Sequence, residues 1–314
     1  MRISAIKFGN FNYKLNKTNT FQTRPMGLQM DSVEFSKNVS FGANLKSEEE
    51  ILKLSEKARE LADLVIDELP EELDQARCEL EQAESVWEFY VQPTLKNEGV
   101  VFYTTSDIFG DSIKGFVEKD ENKTHIKEYK NGDLHTETIK DKSSITYRNY
   151  AGHDNDDYDE WVFALDGELK SVSRGISEKY GVKEIYAKRT FVNGKLDRLQ
   201  RGIKEEKGRS VKIGSELELM SGRIVCYCGG ITISQDEITH IKDKFHFDGN
   251  NARFSYIQDE VSGLGWLTSA HEIIYEDNQI AQYRKGRFSN SSGEGDEQLS
   301  WFKNGKLYKT RGQE

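Results

Sequence analysis

The sequence predicts an α+β protein in which a helical N-terminal region precedes a long antiparallel β-meander. Three observations lead to this prediction. Asn-Gly and Asp-Gly turn dipeptides are evenly spaced after residue 100, apolar and polar residues alternate between them, and two runs of apolar residues at steps of three and four precede them. We therefore predict a disordered leader over residues 1–46, an αα-hairpin over 47–95 and a sheet of hairpin repeats over 99–314.

The leader is rich in Asn, Thr, Ser and Lys and has no sustained apolar period, which is typical of a disordered segment. It lacks the apolar stretch of a secretory signal. A second interpretation stays open, in which Val33-Glu34-Phe35 and Val39-Ser40-Phe41 add to a sheet edge or are read by an export system. No apolar run of about 18 residues indicates a membrane span, so we expect a cytoplasmic protein, with non-classical export left open.

The helical region begins with a capping box, Ser47 and Glu50. Two seams at heptad-like spacing follow, and Pro70 and Pro93 each come at the end of one seam. The seam residues are Ile51, Leu54, Ala58, Leu61 and Val65, then Leu73, Ala76, Leu80, Ala83, Trp87 and Tyr90. This pattern predicts two antiparallel helices whose seams face each other or cover one end of the sheet. The alternative is that the helices form a coiled-coil homodimer or dock a partner.

The turn dipeptides set the period of the sheet. Asn-Gly tolerates the positive φ at both central positions of a type I′ turn, and Asn can replace Gly there. The turns are Asn131-Gly132, Asp166-Gly167, Asn193-Gly194, Ser221-Gly222, Asp248-Gly249, Asp277-Asn278 and Asn304-Gly305. From the second turn onward they step by 27 to 29 residues, with other turn signals midway, so each repeat is one hairpin with strands of about 10 residues.

Alternation between the turns predicts one dry and one wet face. In 185–191 the odd positions are mostly apolar and the even positions mostly polar. Lys, Glu and Arg on the wet face are expected to form cross-strand ion pairs.

Composition limits the partners. The net charge is −10 and basic residues are interspersed with acidic ones, so nucleic acid is not an expected partner. The three cysteines, Cys78, Cys226 and Cys228, do not make a disulfide framework. Cys226 and Cys228 point to the same side of a predicted strand, and we interpret them as small apolar residues, since further metal ligands at a suitable spacing are missing.

The remaining candidates for chemistry also favour structural roles. The acidic run 153–160 begins like a calcium loop but has Asp159 and Leu165 at the diagnostic sixth and twelfth positions, which favours a solvated loop. The histidines have no metal or catalytic spacing, and Trp161, Trp266 and Trp301 are expected to pack in the core or across strands. The histidines are His125, His135, His153, His240, His246 and His271. We therefore predict no catalytic, cofactor-binding or metal residue.

The turns share an aromatic-x-Asn-Gly-Lys-Leu pattern, clearest at 191–196 and 302–307. It resembles the MORN-variant repeats of bacterial antitoxin-type proteins and the tyrosine-aspartate repeats of large bacterial shell proteins, over 129–307. The resemblance implies a bacterial β-meander used for contact, with no catalytic residue to carry over.

Three functions follow as expectations. The leading one is a non-enzymatic repeat scaffold that binds another protein through its sheet surface. The first alternative is an antitoxin or immunity protein whose negative charge neutralises a basic partner. The second is a carbohydrate-active enzyme or carbohydrate-binding module using acidic residues on a curved sheet.

Overall fold

The computed structural model describes residues 46–96, 102–106, 110–150, 157–206, 210–234, 237–248, 251–257, 261–262, 266–289 and 296–312. These residues belong to one compact unit. The predicted leader lies outside the described residues, except for Lys46.

One helical segment precedes the strands. It consists of α1 (Glu48–Val86), a π-helical turn (Trp87–Val91) and α2 (Gln92–Leu95). The first strands are β1 (Phe102–Ser106), β2 (Ser112–Lys119), β3 (Thr124–Lys130), β4 (Asp133–Lys140), β5 (Ser144–Asn149), β6 (Tyr158–Ala164), β7 (Leu169–Lys179), β8 (Val182–Val192) and β9 (Lys195–Glu206). The remaining strands are β10 (Ser210–Met220), β11 (Arg223–Ser234), β12 (Glu237–Asp248), β13 (Asn251–Ile257), β14 (Val261–Ser262), β15 (Trp266–Glu276), β16 (Gln279–Ser289), β17 (Asp296–Lys303) and β18 (Lys306–Gly312).

The predicted αα-hairpin is wrong, because α1 continues through Pro70 without a turn. The capping box at Ser47 and Glu50 is present as predicted. A proline inside a helix removes one backbone hydrogen bond, a cost that tertiary packing can offset. The buried positions keep one heptad phase on both sides of the proline, at residues 58, 65, 72, 79 and 86. The seam packs on the sheet in one shared core, which is one of the arrangements expected from the sequence.

Replacing Pro70 with alanine is expected to raise the free energy of unfolding by about 1–3 kcal/mol, because alanine restores the missing amide donor and removes the ring clash with the Ile66 carbonyl. Urea denaturation followed by circular dichroism measures the change. Gln75→Ala, on the exposed side of the same helix, should stay within about 0.5 kcal/mol of the parent protein. A loss of stability in the Pro70 variant would mean instead that the helix needs a proline bend to follow the sheet.

The predicted antiparallel meander is confirmed. The strands belong to one 18-stranded sheet, and they pair with their neighbours in sequence. The exception is that β13 pairs with β15, which also pairs with the two-residue β14. Most predicted turns in the described part have positive φ at both central residues, as at Asn193 and Gly194, Ser221 and Gly222, and Asn304 and Gly305, whereas at Asp166-Gly167 only the glycine has it. The Asp248-Gly249 turn reaches beyond the described residues.

The helical segment crosses the strands on one face of the sheet. Glu48 accepts a hydrogen bond from the Leu307 amide on β18 at 3.1 Å, and Trp87 packs on Phe163 of β6 with ring centroids 5.2 Å apart. The helical path between these contacts is about 58 Å at 1.5 Å per residue. Eleven strand spacings of about 4.8 Å give about 53 Å, so the length of α1 matches the width of sheet that it covers.

A row of glycines crosses the sheet beside a row of isoleucines. Gly202 on β9 and Gly230 on β11 have positive φ, and Gly214 lies between them in the register. The neighbouring row pairs one apolar residue on each of seven strands: Tyr158, Ile176, Ile185, Ile203, Ile213, Ile231 and Ile241. These residues form a second core together with Cys226 and Cys228, which lie on the other side of the glycine row. Positive φ at Gly202 and Gly230 interrupts the regular extended backbone between the two sides.

Candidate functional site

A buried ion-pair network joins α1 to the middle of the sheet. It consists of Glu72 and Glu79 on α1 and Arg174, Arg189 and Arg201 on β7, β8 and β9. Glu72, Glu79 and Arg189 are 8%, 0% and 7% exposed. Charged side chains this deeply buried are rare unless they are paired, so the network is the most unusual feature of the interface between helix and sheet.

Arg189 lies at the centre of the network. Its Nη2 donates to Glu72 Oε2 at 2.6 Å, and its Nη1 donates to Glu79 Oε1 at 2.9 Å. The guanidinium therefore bridges two carboxylates two helical turns apart. Glu79 Oε2 is buried without a hydrogen-bond partner among the described residues.

Two further arginines extend the network on either side. Arg174 donates to Glu79 Oε1 at 3.3 Å and to Asp159 Oδ2 at 2.9 Å. Arg201 donates to Glu68 Oε2 at 2.9 Å and also bonds Glu72. Acidic side chains of the helix thus alternate with arginines of the sheet along the network, and each arginine comes from a different strand.

Electrostatics keep the network charged. Burial works to raise the pKa of Glu72, but the positive charges and hydrogen bonds of Arg189 and Arg201 outweigh it and hold this pKa below its ordinary value. Burial works to lower the pKa of Arg201, but the carboxylates of Glu72 and Glu68 outweigh it and raise this pKa. Both residues are therefore ionised at neutral pH, and their ion pair holds α1 on the sheet.

Sequence reasoning missed this network, although one signal for it is present. Glu72 and Glu79 occupy the same heptad position as Ala58, Val65 and Val86, all of which are buried. An acidic residue at a buried heptad position predicts a basic partner on the opposing surface. Only the register of the sheet identifies Arg189 as that partner.

A shallow cleft opens beside the network. It lies between α1 and strands β9–β11 and is open to solvent. Its lining residues are Val65, Glu68, Leu69, Glu72, Leu199, Arg201, Ser215, Leu217 and Tyr227. Three charged groups in this lining, Glu68, Glu72 and Arg201, are ion-paired with one another.

A second polar cluster anchors the start of α1. The Gln298 side chain accepts from the Lys46 amide at 2.7 Å and donates to the Lys46 carbonyl at 2.9 Å. His271 Nδ1 lies 2.7 Å from Tyr283 Oη, and both residues are buried. Burial, with the nearby charges of Lys46 and Lys285, lowers the pKa of His271 to about 4. His271 is therefore neutral at physiological pH.

The face opposite α1, here called the outer face, carries the predicted cross-strand ion pairs. Arg148 bonds Glu160 at 2.9 Å and Glu137 at 3.3 Å. Arg198 and Glu218 form another pair at 2.8 Å. This part of the sequence-based prediction is confirmed. The Arg198–Glu218 pair is exposed, whereas the Arg148 pairs are largely shielded from solvent.

Most other candidates from the sequence are dispersed. His125 on β3 lies 3.2 Å from Glu137, and burial lowers its pKa against the opposing effect of that carboxylate. His135 is on β4, and His240 and His246 are both on β12. His153 and the first part of the acidic run, residues 154–156, lie outside the described residues.

The tryptophans serve packing where they are described. Trp161 lies under Arg174, whose guanidinium carbon is 4.7 Å from the ring centroid, and Trp301 contacts Lys309 at 4.6 Å. Trp266 begins β15.

The cysteines are the exception to this dispersion. Cys78 is exposed on α1, whereas Cys226 and Cys228 are buried on β11 with sulfur atoms 3.8 Å apart. The hydrogen bond between the two thiols lowers the pKa of Cys226 and, together with burial, raises the pKa of Cys228.

Within the described residues, three or more His, Cys, Asp or Glu side chains do not gather in a group that could hold a metal ion. Across the same residues, every helix is too short or too polar to cross a membrane. A scan against protein-family models finds no matching family, and a search of curated proteins finds no matching relative.

Proposed function

We propose that this protein is a non-enzymatic repeat scaffold that binds another protein through the outer face of its sheet. The proposal rests on one observation, which is that the two faces of the sheet differ. One face is filled by α1 and its buried network, while the other presents an extended polar surface on regularly paired strands. Extended repeat surfaces of this kind commonly serve binding.

An exposed aromatic side chain marks the centre of the outer face. Tyr186 on β8 is 63% exposed and stands above Gly175 of β7, at which an added Cβ would lie only 3.2 Å from the Tyr186 Cβ. Lys188 follows on the same side, and its register partner on β9 is Gln200, two residues after Arg198. Tyr and Arg are enriched at the energetic centres of protein interfaces.

A second candidate function is an antitoxin-type or immunity-type role toward a basic partner, and α1 favours it. This helix contains 14 of the 54 acidic residues but only 4 of the 44 basic ones, so its net charge of −10 equals that of the whole chain. Leu64, which is 58% exposed, lies on its solvent side. A negative ridge of this length would steer and hold a basic protein.

Site-specific photocrosslinking separates these two functions. Benzoylphenylalanine would be placed at Tyr186 on the outer face, at Leu64 on α1, and at Tyr180 as a control, because Tyr180 is fully exposed at the turn of the same β7–β8 hairpin. In cells of the source organism, we expect one protein adduct at position 186 that is absent at positions 64 and 180.

The outcomes distinguish the proposals. An adduct with a basic protein at position 64 alone would support the antitoxin-type function and reject the sheet-face scaffold. The absence of an adduct at both 64 and 186, with the proteins folded and expressed, would contradict both. An adduct at Tyr180 equal to that at Tyr186 would show non-specific capture, which would also count against the scaffold.

A further inference from the structure

The two buried cysteines lie side by side on the outer face of β11. Cys226 and Cys228 alternate with Tyr227, whose ring belongs to the core under α1, so the pleat directs both thiols to the opposite face. Their sulfur atoms are 3.8 Å apart, which is close to van der Waals contact, and the residues are 7% and 8% exposed. Each thiol therefore has the other as an immediate neighbour.

The surroundings of the pair favour a product without charge. Isoleucines of the second core cluster with the two cysteines. In the register, Glu218 of β10 lies opposite Cys226 and Glu216 lies opposite Cys228, and both carboxylates are close to Arg198. A negatively charged product would add to the charge of this acidic rim beside an apolar wall, whereas a neutral product would not.

The backbone departs from a regular strand on both sides of the pair. Val225 is the extra residue of a β-bulge directly before Cys226, and Gly230, with a φ of 62°, lies two residues after Cys228. Residues two apart on a regular strand have Cα atoms about 6.6 Å apart, at the upper end of the range of about 4.4–6.8 Å that disulfides span. The bulge and the glycine allow the short segment between them to contract.

We infer that Cys226 and Cys228 form a reversible oxidation site, at which a hydroperoxide converts the two thiols into an intrachain disulfide. A disulfide needs no third ligand and carries no charge, so it suits both the apolar wall and the acidic rim. Because the strand must contract to close it, the bond is strained, and strain makes a disulfide easier to reduce. The bond is therefore a labile, regulatory one and not a permanent cross-link.

The reaction has two steps, and Cys226 reacts first. Its hydrogen bond with Cys228, together with the charge of Lys244, lowers the pKa of Cys226 against burial and the nearby glutamates, and the thiolate is the nucleophile. The Cys226 sulfur attacks one oxygen of hydrogen peroxide and the O–O bond breaks. Cys226 becomes a sulfenic acid, and the departing hydroxide takes up the proton that Cys226 had released and forms water.

The second step closes the bond. The Cys228 sulfur attacks the Cys226 sulfur, the S–O bond breaks, and the oxygen leaves as a second water molecule with the proton of the Cys228 thiol. In total, two thiols lose two electrons to one hydrogen peroxide, which is reduced to two water molecules.

The test is the oxidation of the full chain carrying Cys78→Ser, because Cys78 is exposed on α1 and also reacts with peroxide. The protein is treated with hydrogen peroxide, quenched in acid, unfolded and alkylated with N-ethylmaleimide. We expect the intact mass to fall by two hydrogen atoms and neither cysteine to be alkylated. Treatment of the oxidised, folded protein with glutathione before the quench should restore both alkylation sites.

Single-cysteine variants in the same background test the order of the two steps. In Cys228→Ser, dimedone should trap Cys226 as a sulfenic acid. In Cys226→Ser, labelling of Cys228 should be at least tenfold lower. Circular dichroism checks that both variants fold, and the mass change of the Cys78→Ser chain does not depend on them.

Several outcomes would overturn the inference. The pair would not be an oxidation site if both thiols stay alkylatable at peroxide concentrations that oxidise Cys78 in the parent chain. A product that links two chains, or that gains oxygen atoms and keeps its hydrogens, would contradict the intrachain disulfide. A bond that glutathione does not reopen would contradict its reversibility, and equal dimedone labelling of Cys226 and Cys228 would reject the order of the steps.

Discussion

Replacing Arg189 with methionine is expected to lower the free energy of unfolding by about 3–5 kcal/mol, because the substitution leaves two buried carboxylates without their shared cation. Glu72 and Glu79 would keep Arg201 and Arg174 as their remaining partners, both of which lie at the margin of the network. Urea denaturation at pH 7, monitored by tryptophan fluorescence and circular dichroism, measures the loss.

The matched control is Arg198→Met. Arg198 is on the adjacent strand and also bonds a carboxylate, Glu218 Oε1, at 2.8 Å, but its side chain is 44% exposed on the outer face. Exposed ion pairs contribute about 0–1 kcal/mol, so this variant should change little. Equal losses in the two arginine variants would mean that the buried network does not clamp the helix more strongly than a surface pair.

A double-mutant cycle refines the result. Glu79→Gln removes one of the two helix carboxylates. In this background, Arg189→Met should lower the free energy of unfolding by less than in the parent protein, because one fewer buried charge is left unpaired. Additive losses would contradict direct coupling between Glu79 and Arg189.

The second large effect is expected from His271 on acidification. Its pKa is about 4 in the folded protein, below the ordinary value of 6.5, because burial disfavours the charged ring. The unfolded chain therefore takes up the proton first as the pH falls. Neutral His271 contributes its full stability above about pH 6.5, and about 3 kcal/mol of that is lost between pH 6.5 and pH 4.

The measurement is the free energy of unfolding at several pH values between 7.5 and 4, for the parent protein and for His271→Gln. The variant starts from a lower stability, since the contact with Tyr283 changes, but its profile should be flatter over this window. His246→Gln, at an exposed position of β12, should keep the slope of the parent protein. Parallel profiles for the parent and the His271 variant would contradict a buried neutral imidazole.

The two predictions concern different parts of α1. The Arg189 network lies under its centre and C-terminal half, and His271 lies near Gln298, which holds the residue before the helix cap. Together they would establish how firmly the helix is held on the sheet.

Local sequence signals were sufficient for much of the fold. Asn-Gly and Asp-Gly pairs adopt positive φ at low cost, so the turns at residues 193–194 and 304–305 could be located from the dipeptides alone. The capping box at Ser47 needs only residues within one helical turn, and it too forms as expected. The cross-strand charge pairs follow from alternation once the turns fix the register.

The sequence by itself determined the direction reversals, the alternation of faces and the start of the helix, because each depends on residues close together in the chain. Only the tertiary structure decided that α1 runs unbroken through Pro70, since burial against many strands offsets a local penalty. It alone placed Arg189 between Glu72 and Glu79, more than 100 residues away, because a buried charge finds its partner through packing and not through sequence spacing.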